Sequence, residues 1–572
     1  MQEERLKPLP VGHSFFDRVI RDNYYYVDKS LFIRDLLDKG AMVTLCTRPR
    51  RFGKTLNQTM LKCFFEDTSP LLHNVIGGKN TRALFNGLKI ESSGEDYMRH
   101  QGKYPVIYLS FKDAKINNFE GSYNYIKDEI IQEFNRHYYV IEKISREDNK
   151  VNFEKLCSNN GTTGDYSRSL RLLCECLEDY HGEKAVVLID EYDVPLENSW
   201  SCGFYDEMIN FIRPLMAGAF KDNPSLQLAV ITGCLRISKE SIFTGLNNLS
   251  VVSILSDFYD EHFGFTQSEM DYMLKYYSLE CKTQIIKDWY DGYLFGRKEV
   301  YNPWSSIQVI SNWQNNIDRY PEPHWANTSS NDIVRRLIDI ADNDTRDELE
   351  ILISGGTITK LIHEDITYNE IEKSPDNLWN FLFFTGYLKK INQGIKNEDG
   401  EISCNLTIPN IELRYIFKTK VKDWFSEKIK QKDFSRLYDA VLNGSADIIK
   451  DELNDFLVDV ISYMDGRESF YHGVMIGVLS GMRHFSVKSN REAGTGRCDI
   501  VMRHASGRGK AVLFEIKYTE KMSEIEKKCE EALNQIKERQ YAKELEAECY
   551  KDIIQYAVSF CKKSCEVLKY TC

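Results

Sequence analysis

Apolar and polar positions follow two rhythms along this chain, and the exchange between them predicts its elements. Over residues 29–39 apolar side chains recur at Leu31, Phe32, Leu36 and Leu37, the spacing of one helix face, and Gly40 follows as a stop. Residues 41–46 form a short apolar run, which reads as a buried strand. The same reading predicts a helix over 56–65, a strand over 104–111, a helix over 170–180, and strands over 184–190 and 226–232. Apolar strands separated by helical stretches predict a parallel sheet covered on both faces. From 260 to 430 the pattern turns mainly helical, with aromatic-rich turns at 289–293 and 301–304 and an exposed hairpin turn at 392–401. A new unit begins near Lys432: helices, apolar runs around Asp499 and Glu515 joined by a turn at 506–509, then a charged helix over 523–544.

Composition narrows the class. A length of 572 residues suggests roughly three or four domains. The 74 basic and 86 acidic residues give a formal charge of −12, so nucleic acid, if bound, must be met by local patches. The 15 cysteines show no paired CxxC spacing, which argues against zinc and for reduced thiols in a cytoplasmic protein. The first twenty residues lack the apolar core of a signal peptide, and no apolar run is long enough for a membrane span.

Two constellations carry chemistry. Residues 41–46 run into Arg48-Pro49-Arg50-Arg51-Phe52-Gly53-Lys54-Thr55 and then a helix. In a phosphate-binding loop the backbone N–H groups wrap phosphates, the lysine reaches the outer ones and the hydroxyl ligates Mg²⁺. Arg48 stands where the usual G-x-x-x-x-G-K-[ST] pattern has its first glycine. The partner is the apolar strand ending in Asp190-Glu191. There Asp190 supports Mg²⁺ and Glu191 polarises the attacking water. Thr232, at the end of the next strand, is the candidate γ-phosphate sensor. Arg236 is open between a phosphate contact and a salt bridge, Asp193 is read as a supporting residue, and the segment Tyr26–Lys29 is open between an adenine contact and a helix start.

The second constellation is Asp499 on one apolar run and Glu515-Ile516-Lys517 on the next. Residues two apart on a strand share a face, so Glu515 and Lys517 project together, with Phe514 and Ile516 on the other face. Two carboxylates and a lysine converging on one point suit metal-assisted phosphodiester hydrolysis.

The run 47–57, with LIDEYDVPL at 188–196, TGCLRISKESIFTGLNNL at 232–249 and WYDGYLFG at 289–296, resembles the AAA-ATPase-like family of bacterial and archaeal proteins with a C-terminal PD-(D/E)xK nuclease superfamily domain. In that family's own pattern an arginine takes the first glycine position. The resemblance implies ATP binding; the candidate nucleotide- and Mg²⁺-binding residues are Arg50, Arg51, Phe52, Gly53, Lys54, Thr55, Asp190, Thr232 and Arg236. It implies that Asp499 and Glu515 hold Mg²⁺, Glu468 completes the metal shell, Lys517 orients water and Gln535 positions the site or contacts substrate. His472, among apolar neighbours, reads as a packed or hydrogen-bonded residue.

The expected fold is α/β: a P-loop parallel-sheet ATPase domain over 1–260, a mainly helical region over 261–430 and a small α/β PD-(D/E)xK-type domain over 431–572. Three function classes follow. The first is an ATP-hydrolysing protein with a metal-dependent nuclease domain acting on DNA or RNA. The second is a nucleotide switch that binds nucleic acid or protein without cutting, with the basic run Arg497, Arg503, Arg508 and Lys510 beside the site. The third is an ATPase alone. Homo-oligomerisation is open, because no arginine that would complete a neighbour's site is identifiable.

Overall fold

The computed structural model describes all residues except 1–5, 69–79, 237–247, 326–331, 365–366, 392–393, 397–400, 459–467, 494–495, 507–508, 549 and 572. By contact the chain divides into one unit built from Met1–Ile333 and Thr357–Ile416 and a second built from Val334–Gly356 and Phe417–Cys572.

The first unit is organised by five parallel strands, β1 (Val43–Thr47), β2 (Val106–Ser110), β3 (Ala185–Asp190), β4 (Leu226–Gly233) and β5 (Leu249–Val252), in the order β2-β3-β4-β1-β5. β1 and β3 are buried at every position, as strands covered on both faces must be. The register pairs Cys46 with Thr232 and Ile189 with Ile231, which sets the C-terminal ends of β1, β3 and β4 side by side. The helix Lys54–Phe65 packs beneath these ends through Met60, Leu61, Phe64 and Phe65. Its buried Gln58 amide donates to the carbonyls of Ile189 (3.3 Å) and Val230 (3.0 Å), tying helix to sheet.

Most predicted elements are present with shifted ends. The helix expected at 170–180 runs over Thr163–His181, because a capping box between Thr162 and Asp165 starts it before the apolar pattern begins. The middle region contains the expected helices, and it also carries two small antiparallel sheets. One joins β6 (Phe265–Thr266), β7 (Tyr293–Phe295) and β8 (Lys298–Tyr301). The other joins β9 (Ile358–Ile362), β10 (Lys389–Lys390), β11 (Ile395–Lys396) and β12 (Ile402–Thr407). Strands this short show no period, so the helical reading missed them. The hairpin turn expected at 392–401 lies partly outside the described residues; the flanking β10 and β12 pair antiparallel, and β11, within the expected turn, pairs with β12 as well.

The second unit holds a five-stranded mixed sheet of β13 (Phe485–Ala493), β14 (Gly496–His504), β15 (Lys510–Tyr518), β16 (Asp552–Cys561) and β17 (Ser564–Lys569), in sequential order with only β15 and β16 parallel. Along β15, Val512, Phe514 and Ile516 enter a core with Leu437, Tyr471 and Val474. Ala511 and Leu513 enter another with Cys529, Ala532 and Ile536 of the helix Ile525–Arg539. The charged helix expected over 523–544 is thus broken: Gln540 takes a left-handed conformation, and Ala542–Ala547 forms a separate helix. Among the described residues no helix is long and apolar enough to cross a membrane, and the described cysteines are free thiols.

Candidate functional site

The loop after β1 shows why an arginine can replace a glycine at its start. The Arg48 side chain is fully buried and points away from the loop's concave face. Its guanidinium donates to the carbonyls of Thr47 (2.9 Å), Val252 (2.9 Å), Tyr259 (3.3 Å) and Phe258 (3.4 Å), and lies over the rings of Phe263 and Phe295 at 5.2 Å. Burial pulls it down to about 10. Arg48 is therefore a structural rivet between β1, β5 and the turn at Phe258–Tyr259, and the rest of the loop is free to face a ligand. Phe52 is buried against Tyr293 and Phe295. Gly53, at φ 83°, makes the left-handed turn that starts the helix. Lys54 Nζ donates to the carbonyls of Arg48 (3.1 Å) and Pro49 (3.0 Å).

Asp190 is the hub of the site. Its two carboxylate oxygens each accept a hydroxyl at 2.6 Å, one from Thr55 and one from Thr232. Burial, then the neighbouring Glu191, raises its carboxyl, and the two hydroxyls and Lys54 oppose that. These are hard oxygen donors of the kind a divalent cation takes. Glu191 sits at φ 54° just beyond the strand and lines the adjoining cavity with Lys112, Asp113 and Lys115. Asp193 takes a supporting place. Its Oδ2 accepts from the N–H groups of Cys234 (2.7 Å) and Leu235 (3.0 Å), its Oδ1 has no hydrogen-bond partner among the described residues, and burial pushes its carboxyl up to about 6.

A cavity of about 370 Å³ opens over the loop, lined by Arg50 to Asn57, by Leu9 to Ser14 and Tyr25 to Val27, and by Phe265, Met273, Trp304 and Ile307. Its lining combines basic side chains with apolar ones. Arg51 lies 4.4 Å from the Trp304 ring, and Arg50 is ion-paired with Glu197. Arg236 faces Glu364 at 3.4 Å. The segment 26–29 starts a helix and also borders the cavity. Tyr26 and Lys29 line the cavity, while Asp28 accepts from the Ser30 N–H at the helix start. The part played by Leu9 to Ser14 and Trp304 had no sequence signal, since neither stretch carries a motif. Beneath Trp304, the wholly buried Glu412 accepts from Ser305 Oγ (3.0 and 2.9 Å) and the Trp325 N–H (2.7 Å), and burial pushes its carboxyl up to about 8.

In the second unit the β14–β15 ladder is paired at Ile500–Phe514, and beyond it Asp499 Oδ2 accepts from the Ile516 N–H at 2.8 Å. A side chain thus takes the place of the next ladder carbonyl, fixing one carboxylate beside the next strand. Glu515 is 1% exposed, with Oε1 3.5 Å from Lys517 Nζ and Oε2 without a hydrogen-bond partner among the described residues. Burial, then Asp499, raises its carboxyl to about 7. A buried carboxylate oxygen lacking a donor beside a second carboxylate fits a cation. Lys517 shares Glu515's face, as expected. His472 Nε2 meets the Asp499 carbonyl at 2.8 Å, so it is hydrogen-bonded to the strand. Glu468 starts the same helix one turn earlier and is exposed. Gln535 donates to the Tyr541 hydroxyl at 3.1 Å. Among the described residues no group of three or more His, Cys, Asp or Glu side chains is placed to hold a metal ion. Of the basic run, Arg503 pairs with Glu548 (2.7 Å) and Lys510 with Asp552 (3.5 Å), while Arg508 and the Arg497 side chain lie outside the described residues.

Comparison with known families agrees with both halves. Residues 10–243 match the family described as "Predicted AAA-ATPase", and residues 466–570 match the "PD-(D/E)XK nuclease superfamily". The chain carries an AAA-ATPase-like domain and, at its C-terminal end, a PD-(D/E)XK nuclease superfamily domain. It is similar, at 28% identity over 326 residues, to a protein of Azotobacter chroococcum mcd 1 named "Uncharacterized protein in vnfD 5'region". The match covers 57% of this chain and 54% of that protein.

Proposed function

We propose that the first unit binds ATP with Mg²⁺ and hydrolyses it, and that the C-terminal sheet cleaves phosphodiester bonds of DNA or RNA with a divalent metal, in the cytoplasm. The carrying observation is the two-sided clamp on Asp190. Thr55 and Thr232, from different elements, hold its oxygens at 2.6 Å, and Thr55 also lines a cavity with both basic and apolar side chains.

On this reading, Lys54 leaves the Arg48 and Pro49 carbonyls for the outer phosphates, and the N–H groups of residues 50–55 wrap them. Thr55 and Asp190 would hold Mg²⁺, which supplies charge neutralisation at the phosphates when bound. Glu191 orients water, and Thr232 reads the γ-phosphate through Asp190. In the second unit Asp499 and Glu515 would hold the metal, with Glu468 as a further ligand. Lys517 would then steady the attacking water, and Gln535 the substrate.

A second reading has its own observation. The described residues bring two carboxylates together at Asp499 and Glu515, and Glu468 remains exposed. A domain of this construction that binds nucleic acid or protein without cutting fits that arrangement. The deciding assay incubates wild type, Lys54→Ala and Glu515→Ala with DNA and RNA, with Mg²⁺ or Mn²⁺, with and without ATP. Cleavage that needs Glu515 and is altered by Lys54→Ala supports an ATP-gated nuclease. Binding without cleavage by protein that still hydrolyses ATP supports the second reading. Loss of ATP hydrolysis in neither variant overturns the first-unit assignment.

A further inference from the structure

Six lysine and arginine side chains line the cavity over the phosphate loop, and four of them already have partners. Lys29 is paired with Glu269 at 2.6 Å, and Arg50 with Glu197. Arg51 lies over the Trp304 ring, and Lys54 Nζ is held by the Arg48 and Pro49 carbonyls. The other two, Lys112 and Lys115, are exposed, and neither side chain makes an ion pair or hydrogen bond among the described residues.

Their loop is nonetheless fixed. The β2–β3 ladder pairs Ser110 with Asp190, and the Phe111 N–H goes on to donate to the Asp190 carbonyl at 3.0 Å. Phe111 and Ala114 are buried, and the Ala114 N–H closes a turn on the Phe111 carbonyl at 3.1 Å. The Ile116 carbonyl then accepts from Asn198 Nδ2 (2.7 Å) and Ser122 Oγ (3.0 Å). The backbone that carries both lysines is therefore held at each end. Its start is bonded to Asp190, the residue that Thr55 and Thr232 clamp. Lys62 of the helix Lys54–Phe65 lies 5.3 Å from the Tyr108 ring, so Tyr108 faces that helix. Ser110 shares the face by strand alternation, and Lys112 is the next residue in that series.

A polyphosphate entering this cavity meets two kinds of cation. Arg50, Arg51 and Lys54 must first leave a partner, which offsets part of what they gain. Lys112 and Lys115 exchange only water for phosphate oxygen. A cation at the terminal phosphate stabilises the charge that develops there during phosphoryl transfer.

We propose that Lys112, assisted by Lys115, contacts the terminal phosphate of the bound nucleotide, so that the loop after β2 supplies neutralising charge beside Glu191. This rests on the reading of the first unit as an ATP-hydrolysing site. Water adds to the γ-phosphorus and the bond to the bridging oxygen breaks, leaving ADP, phosphate and one released proton. The two lysines hold charge on the γ-oxygens and take no proton. ADP lacks that phosphate, so the same pair makes the site favour a triphosphate over a diphosphate.

The test uses the full chain with Mg²⁺. Calorimetry gives the affinities for ADP and for the β,γ-imido analogue of ATP, and phosphate release gives ATP turnover. The proteins are wild type, the double variant Lys112→Ala with Lys115→Ala, Lys112→Arg, and Lys54→Ala. Both lysines are exposed, so melting of the double variant without nucleotide should match wild type. Its affinity for the analogue should fall ~10-fold, the scale of one charged hydrogen bond, and its turnover by at least as much, while its affinity for ADP stays unchanged. Lys112→Arg keeps the charge and should keep most of both. Equal weakening of ADP and analogue, or unchanged analogue affinity and turnover in the double variant, would overturn the proposal. Failure of the site reading looks different: Lys54→Ala would then bind the analogue as wild type does.

Discussion

Replacing Glu412 by glutamine should stabilise this protein at neutral and alkaline pH, although it removes a fully buried side chain's charge and touches no surface. The carboxyl stands at about 8 in the fold against an ordinary value of 4.5, because burial opposes ionisation and only Ser305 Oγ and main-chain N–H groups offset it. A carboxyl raised in the folded state holds a proton that the unfolded chain has released. Its stabilising contribution is therefore complete below pH 4.5 and is lost as pH rises towards 8. At 1.36 kcal/mol for each pH unit of displacement, the loss is roughly 3 kcal/mol at pH 7 and about 5 kcal/mol above pH 8. Glutamine cannot ionise, and its carbonyl still accepts from the Trp325 N–H. Giving up one acceptor beside Ser305 costs about 1 kcal/mol. The net gain is then roughly 2 kcal/mol at pH 7 and roughly 4 kcal/mol at pH 8.5, with a small loss at pH 4.5. Urea unfolding followed by tryptophan fluorescence at these three pH values measures it, since Trp325 packs beside the carboxyl. A variant no more stable than wild type at pH 8.5, or a difference that does not change with pH, would refute the reasoning.

Arg48→Gly would restore the glycine usual in a phosphate loop, yet it leaves the Val252 and Tyr259 carbonyls without their donor and should cost roughly 3 kcal/mol or more in urea unfolding. Gly233→Ala would put a Cβ 2.6 Å from the Tyr192 ring and 2.8 Å from Asp193 Oδ1, for a loss of roughly 1–3 kcal/mol and a smaller ATP-induced rise in melting temperature. Glu515 must lose its proton before it can ligate a metal, so Mn²⁺ affinity measured by calorimetry should climb as pH passes through about 7, and Glu515→Gln should flatten that rise.

The strands of the large sheet were legible because both faces are buried, which makes β1, β3 and β4 apolar runs of unmistakable length. The same logic failed for β6 to β12, where strands of two to six residues are too short to show a period. Within the site, Lys54 and Thr55 could be read because spacing within one strand-loop-helix fixes where they point, and Asp190 because it ends an apolar strand in an acidic pair. The Asp190 clamp on Thr232 follows from parallel register, which sequence only implies. Arg48 was legible as a departure but not as a rivet, since its carbonyl acceptors lie some two hundred residues away.

The second unit is not a continuous stretch of chain: Val334–Gly356 belongs to it, although Thr357–Ile416 returns to the first. Arg335, from the early segment, pairs with Glu427 (2.7 Å) from the late one. A single cut after Ile416 consequently does not separate the two units. A fragment that starts after Ile416 leaves two helices behind, and a truncation that removes everything beyond Ile416 strands those helices without the partners they pack on.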